Sequence, residues 1–377
     1  MLDRKIMPVK SVIHPLTGRR VFFGRKQTPI EIIEAHAKIK DYLPLESLPT
    51  APATIDYSPE AMAALLLIYL NNVLGCCVPA ATEHADGVFT GNAGGPAIIF
   101  TDTQTEFNYT GMSGGEFNPA DPSTDQGCNI DTALTYWQAN GLLADGSHKI
   151  AGWLAVDPTN VAQVKSTIWL FGDNVLGLNL PAAWITPFPS ESGFVWDVAG
   201  DPDPNNGHCV VAIGYTAVGI IISTWGMIGI MTWAALAKYC ASSVGGELYT
   251  VLNPDWANQA TQKAPSGTYS LLVGYFNSMG GTVTPPVVVV PPPVPVSPPV
   301  VVPPAAPISS TVYITDVNKY VSDVTAAIAR SEAAQSALTS ELTSAPLTSS
   351  QRIALAVANA ATRAASLIAK GSKEIIE

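Results

Sequence analysis

Between Cys209 and Ala237 the chain carries no charged residue, and this apolar stretch is cut by Gly214, Gly219, Gly226 and Gly229. Its length would suit a membrane helix of about 20 residues. The glycines, however, separate runs rich in Val and Ile, which predicts buried β-strands joined by a tight turn. One strand ends in Gly214-Tyr215, a second is Ile221-Ile-Ser-Thr-Trp-Gly226, and Thr216 to Gly219 suffices for a hairpin. Upstream, Ser58-Pro-Glu60 starts a helix, with Ser58 at the N-cap and Pro59 in the first turn, that runs to about Leu70. Ser11 to Phe23 reads as a short hairpin turning around Leu16, Thr17 and Gly18, and Ile30 to Lys40 as one helical piece. The mixture predicts an α+β fold.

The C-terminal part follows other patterns. Between Pro285 and Pro307, 11 of 23 residues are proline, most others are valine and none is charged. Proline lacks an amide hydrogen and fixes φ, so an extended spacer of roughly 70 Å is expected. Beyond it, Val317, Val321, Val324, Ile328, Ser331, Gln335, Leu338 and Leu342 alternate at spacings of four and three, a heptad seam with a polar middle. Pro346 ends that helix and Thr348-Ser-Ser-Gln351 opens another. The expected units are therefore a basic arm (1–55), a globular domain (56–283), a Pro/Val-rich linker (284–308) and a helical tail (309–377). The tail would form a helical hairpin or a coiled coil and serve homo-oligomerisation or anchoring.

Composition sharpens the picture. All 8 Trp and all 5 Cys fall in 56–283, and 47% of the chain is hydrophobic, ample for a core. The net charge of −11 argues against nucleic-acid binding, although 9 of the 19 Lys and Arg lie in residues 1–40. An odd number of cysteines is no disulfide framework and suits a reducing compartment. Met1 to Lys10 carries charges with no apolar run after it, so no signal peptide is expected.

Three segments carry candidate chemistry. In Asn71-Asn-Val-Leu-Gly-Cys-Cys-Val-Pro79 a glycine turn delivers Cys77 to a helix start, where the helix dipole favours the thiolate that attacks. Taken alone, a cysteine before small apolar residues is more often a core residue. In Gly207-His-Cys-Val-Val-Ala-Ile-Gly-Tyr215, His208 opens an apolar strand and is placed to act as a general base; alone, it is as readily a surface histidine. In the third segment, Ser223 or Thr224 would approach His208 across the hairpin. No phosphate loop, Cys-x-x-Cys or His-Glu-x-x-His motif is present, so no cofactor is expected, and Glu83-His84 reads as a surface pair.

In this order the three segments resemble the papain family of cysteine peptidases, over about 220 residues. The resemblance implies a helical half facing an antiparallel sheet half, with Cys77 as nucleophile, His208 as base and Trp225 as the covering tryptophan. Asn71, with Asn72 as fallback, falls at the oxyanion donor, and Ser223 replaces the asparagine that orients the histidine. Gln126-Gly-Cys-Asn129 is similar to the family's Gly-Cys-Asn-Gly-Gly stretch, with Ile130 and Asp131 in place of the glycines that pair with substrate; Val78 replaces a tryptophan. The resemblance also raises a Cys76–Cys128 disulfide, with free thiols as the alternative; Cys209 and Cys240 read as core residues. Gly-x-Cys-Val, Gly-His and Thr-Trp-Gly together also look like papain-like proteins of bacteriophage genomes.

Two functions are therefore expected in competition. One is a virion-associated thiol hydrolase cutting peptide bonds in a peptide or protein substrate. The other is a catalytically degenerate structural protein, a capsid or tail attachment, that binds virion proteins through its arm or tail. Either would sit in the virion or the host cytoplasm, not in a membrane. The basic lead is too short to resemble the family's inhibitory pro-segment.

Overall fold

The computed structural model describes residues 10–14, 18, 20–42, 50–256 and the single positions 265, 274 and 277. The chain divides into two units, Met1–Val289 and Val290–Glu377, and every described residue lies in the first. The expected linker and helical tail, with its hairpin or coiled coil, lie outside the described residues.

Strands β1 (Ser11–Ile13) and β2 (Arg20–Phe22) form the expected hairpin, with Ser11 opposite Phe22. The single helix expected over Ile30 to Lys40 is instead two, α1 (Ile30–Ala35) and α2 (Ile39–Tyr42). His36 turns extended between them, the Ala155 amide bonds to the Ala37 carbonyl, and Lys38 bridges to Ala155, so backbone pairing overrides helix continuation. Then come β3 (Ile55–Asp56), α3 (Ser58–Leu65), α4 (Cys77–Asn92), α5 (Asp102–Met112) and α6 (Ile130–Asn140). Helix α3 begins one residue earlier than the capping pattern suggests, because the Ser58 amide bonds to the Asp56 side chain. The second half holds β4 (Gly152–Ala155), α7 (Val161–Phe171), β5 (Asn174–Asn179), β6 (Val195–Trp196), β7 (Gly207–Tyr215), β8 (Gly219–Thr224), β9 (Met227–Thr232), α8 (Trp233–Tyr239) and β10 (Glu247–Leu252).

The result is α+β: a helical part built around α4 and an eight-stranded sheet in the order β4-β10-β5-β7-β8-β9-β6, with β3 added beside β7. Pairing is antiparallel throughout except between β6 and β9, so the sheet is mixed and mostly antiparallel. The charge-free stretch from Cys209 becomes β7, β8, β9 and most of α8. No described helix is long and apolar enough to cross a membrane.

Helix α4 is enclosed: nearly every residue from Cys77 to Gly91 is buried. That overturns the surface reading of Glu83 and His84, which are 0% and 2% exposed. Glu83 accepts hydrogen bonds from Thr105 and Asn108, and burial still pushes its carboxyl up to about 8. His84 faces the Leu67 carbonyl, and burial lowers it to about 4. Trp137, Trp196 and Trp256 are fully buried, each removing roughly 150–250 Å² from water. The core thus reaches both halves and leaves Cys77 at the junction between them.

Candidate active site

Cys77 is the first residue of α4, reached through Gly75 and Cys76. The Gly75 amide donates to Asp125 Oδ2 at 2.8 Å, the Tyr109 hydroxyl donates to Asp125 Oδ1 at 2.5 Å, and the Gly127 amide donates to that hydroxyl at 2.8 Å. This chain of bonds fastens the turn before the nucleophile to the loop before Cys128. The helix start and the amides of Gly24, Cys209 and Arg25 all favour a thiolate, but burial outweighs them and pushes the Cys77 thiol up to about 11.

His208 lies one strand-residue away, preceding the Cys209 amide that faces the Cys77 sulfur. Its Nε2 is 2.7 Å from Thr224 Oγ1, and its ring stacks on Trp225 with centroids 4.1 Å apart and planes 19° from parallel. Nδ1 has no hydrogen-bond partner among the described residues. Burial, with the positive charge of Arg25 adding to it, lowers the imidazole to about 3.

Two expected positions shift. Adjacent strand residues face opposite sides of a sheet, so only one of Ser223 and Thr224 can meet the ring, and it is Thr224. Ser223, opposite Val211, points its hydroxyl 3.5 Å from the Leu65 carbonyl. Asn71 lies in the loop before Cys77, but its side-chain amide donates to the Leu74 carbonyl at 3.0 Å, so that bond, not an oxyanion position, occupies it. All five cysteines are free and buried, with no Cys76–Cys128 disulfide; the Cys76 thiol points to the Tyr69 carbonyl.

Residues 20–28 form a strap that packs against both Cys77 and His208. The Phe22 amide donates to the Asn71 carbonyl, the Gly24 amide to Cys77 Sγ at 3.3 Å, and the Arg25 amide to the Gly207 carbonyl at 3.2 Å. Cys128 pairs with both sides of Arg25: its amide donates to the Gly24 carbonyl and its carbonyl accepts from Lys26. Phe23 sits edge-on to both His208 and Trp225. The approach is so close that a Cβ at Gly24 would lie 1.6 Å from the Gly75 carbonyl oxygen. The lead expected as a separate basic arm is thus, over 20–42, part of the folded unit.

The Arg25 side chain leaves the strap for a buried pocket. Nε and Nη2 bond Glu247 Oε1 at 2.9 and 2.7 Å, Nη2 also bonds the Gly245 carbonyl at 2.5 Å, and Nη1 bonds Asn179 Oδ1 at 3.3 Å. Both side chains are 0% exposed. Nothing local in the sequence announces this pair, whose members stand 222 positions apart.

A possible cation site lies elsewhere. Asp86, His148 and Asp255 bring one ligand atom each within 4.8 Å of one another. Asp86 is nine residues beyond Cys77, about 13 Å along α4. His148 Nδ1 already faces Asp255 Oδ2 at 2.8 Å and Asp86 Oδ2 at 3.2 Å, which raises the imidazole to about 10. The cluster holds together as a protonated histidine whose Nδ1 bonds Asp255 and ion-pairs with Asp86, whose Oδ2 has no hydrogen bond among the described residues.

No protein-family model and no curated protein matches the chain. Among solved structures, it is similar to xylellain, a cysteine protease from Xylella fastidiosa, at 12% identity and a TM-score of 0.45, over 61% of this chain and 95% of that one. It is also similar to the cysteine protease and lectin-like domains of Cwp84, a surface layer associated protein of Clostridium difficile, at 10% identity and a TM-score of 0.41, over 56% of this chain and 54% of that one.

Proposed function

We propose that this chain is a papain-like thiol hydrolase of peptide bonds, held latent by its own residues 20–28. The observation that carries the reading is the pairing of two features: a cysteine at a helix start, and, one residue before the Cys209 amide that faces its sulfur, a histidine with one ring nitrogen held by Thr224 and no hydrogen-bond partner on Nδ1 among the described residues. With the proton on Nε2 donated to Thr224 Oγ1, Nδ1 is the base. It takes the Cys77 proton, the thiolate attacks the peptide carbonyl carbon, and the same nitrogen returns the proton to the leaving amine. Water then repeats the sequence on the thioester and frees the sulfur. Solvation on opening removes the burial that holds both groups neutral.

The strap does not present itself for cleavage. Cys77 Sγ meets the Gly24 amide, a donor, while the Gly24 carbonyl is turned to the Cys128 amide. An occupant that offers no carbonyl to the sulfur inhibits without being cut.

The second reading, a catalytically silent virion attachment protein, draws on the hydroxyl at Thr224 where a carboxamide would hold the imidazole more firmly, and on the Asn71 side chain turned away to Leu74. The discriminating experiment is alkylation of Cys77 against pH, followed by peptide mass spectrometry, in the full chain carrying Gly24→Val, with and without His208→Ala. Reaction well below pH 8.5 that disappears with His208→Ala supports the hydrolase. An ordinary thiol titration near 8.5 in both supports the binding protein.

A further inference from the structure

We propose that the Glu247 pocket is a specificity pocket of the cleft for a guanidinium group, so that the opened site selects peptides with an arginine within two residues of the bond attacked. The inference rests on reading the cleft as a hydrolase site, and it names the substrate class.

The strap is a built-in demonstration of how this cleft holds a peptide. Its backbone pairs with Cys128 on one wall and Gly207 on the other, both main-chain contacts that any sequence can make. Such contacts do not discriminate. Around the sulfur, the side chain after Gly24 is the one that enters a charged, fully buried pocket.

The pocket is shaped for that group. Gly177 forms its floor: a Cβ there would lie 2.3 Å from Arg25 Nε. Glu247 supplies the carboxylate, and its Oε2 is fixed by the Tyr249 hydroxyl at 3.2 Å. Asn179 Oδ1 and the Gly245 carbonyl accept from the remaining guanidinium nitrogens. Asn179 is itself held, its Nδ2 donating to the Val244 carbonyl at 3.0 Å. These acceptors come from β5, β10 and the turn before β10, not from the strap, so they stay when the strap leaves. The Thr28 hydroxyl, which also donates to Glu247 Oε1, would leave with it. An emptied pocket would then hold a carboxylate and two further acceptors converging on one point, an arrangement that favours a cationic donor. Lysine offers one point charge to three separated acceptors, whereas the planar guanidinium reaches all three. The pocket reads the side chain and not chain direction, so a substrate of either polarity can use it.

The test uses the full chain with Cys77→Ser and Arg25→Ala, which empties the pocket, and a fluorescent acetyl-Phe-Gly-Arg-amide peptide against its citrulline twin, which keeps the shape and drops the charge. The arginine peptide should bind at least about tenfold more tightly, and Glu247→Gln should abolish the difference. Equal binding of the two peptides, or a preference that survives Glu247→Gln, overturns the proposal. Because Arg25→Ala leaves Glu247 unpaired, the same pair of peptides is also measured with Arg25→Lys, which keeps a charge in the pocket and loosens the strap. Turnover is read separately with Cys77 restored and Gly24→Val. Arginine-selective binding without turnover retains the pocket and removes the hydrolase reading; turnover indifferent to arginine does the reverse.

Discussion

The Gly24 amide donates to the sulfur of Cys77 at 3.3 Å, across 53 positions of sequence. One bond links the basic lead to the candidate nucleophile. A valine at 24 would thrust its Cβ into the Gly75 carbonyl, so Gly24→Val should expel the strap. Alkylation of Cys77 at pH 7 should then rise by more than about tenfold, since the thiolate fraction is about one in ten thousand for a thiol near 11 and about three in a hundred for one near 8.5. An unchanged rate would place the source of burial elsewhere.

Thr224 and Ser223 should separate cleanly. In the Gly24→Val background, Thr224→Val removes the group facing His208 Nε2 and should lower kcat on a peptide substrate by about ten- to a hundredfold, with little change in KM. Ser223→Ala removes only a long contact to the Leu65 carbonyl and should change kcat by less than about threefold.

Closure should depend on pH at both ends. Burial holds His208 near 3, well below its ordinary value of about 6.5, so the closed state binds fewer protons than the open one in acid. Its contribution is present above about 6.5 and is lost as pH falls through 3. Cys77, raised to about 11, contributes below its ordinary value of about 8.5 and loses that as pH rises through 11. Hydrogen exchange at the Gly24 and Lys26 amides, corrected for the intrinsic rate, should therefore be slowest between about pH 6.5 and 8.5. His208→Gln should flatten the acid limb; a limb that persists unaltered would assign it to other groups, such as His84.

The Arg25–Glu247 pair should show the asymmetry of buried ion pairs. Glu247→Ala leaves the guanidinium buried without its partner and should lower stability by about 3–5 kcal/mol, read by urea unfolding. Arg25→Met with Glu247→Leu should recover most of that loss, because neither charge then remains.

Much of the site was legible because it is local. The glycine-interrupted apolar run gave β7 and β8, and the glycine turn gave the helix start at Cys77. The choice between Ser223 and Thr224 was not legible, because it turns on strand register and on a bulge between Ala212 and Gly214. Glu83 and His84 misled for a related reason: polar residues on a helix read as surface, whereas α4 is covered on all sides and its polar groups bond inward. Residues 24–28, beyond the hairpin, left no periodic trace. Residues 20–23 pair locally with 10–13, but the backbone bonds that seat the segment go to Asn71, Cys128 and Gly207, none a neighbour in sequence. A hairpin and a run of positive charge were visible there, but not their seat.

Arg25 is synthesised long before its seat. The acceptors it needs lie on β5, on β10 and in the turn leading to β10, and β10 must insert between β4 and β5 before Glu247 is in place. A segment synthesised early is therefore among the last to dock, since a contact spanning 222 residues waits for everything between. A nascent chain halted before Glu247 would carry its thiol without its cover.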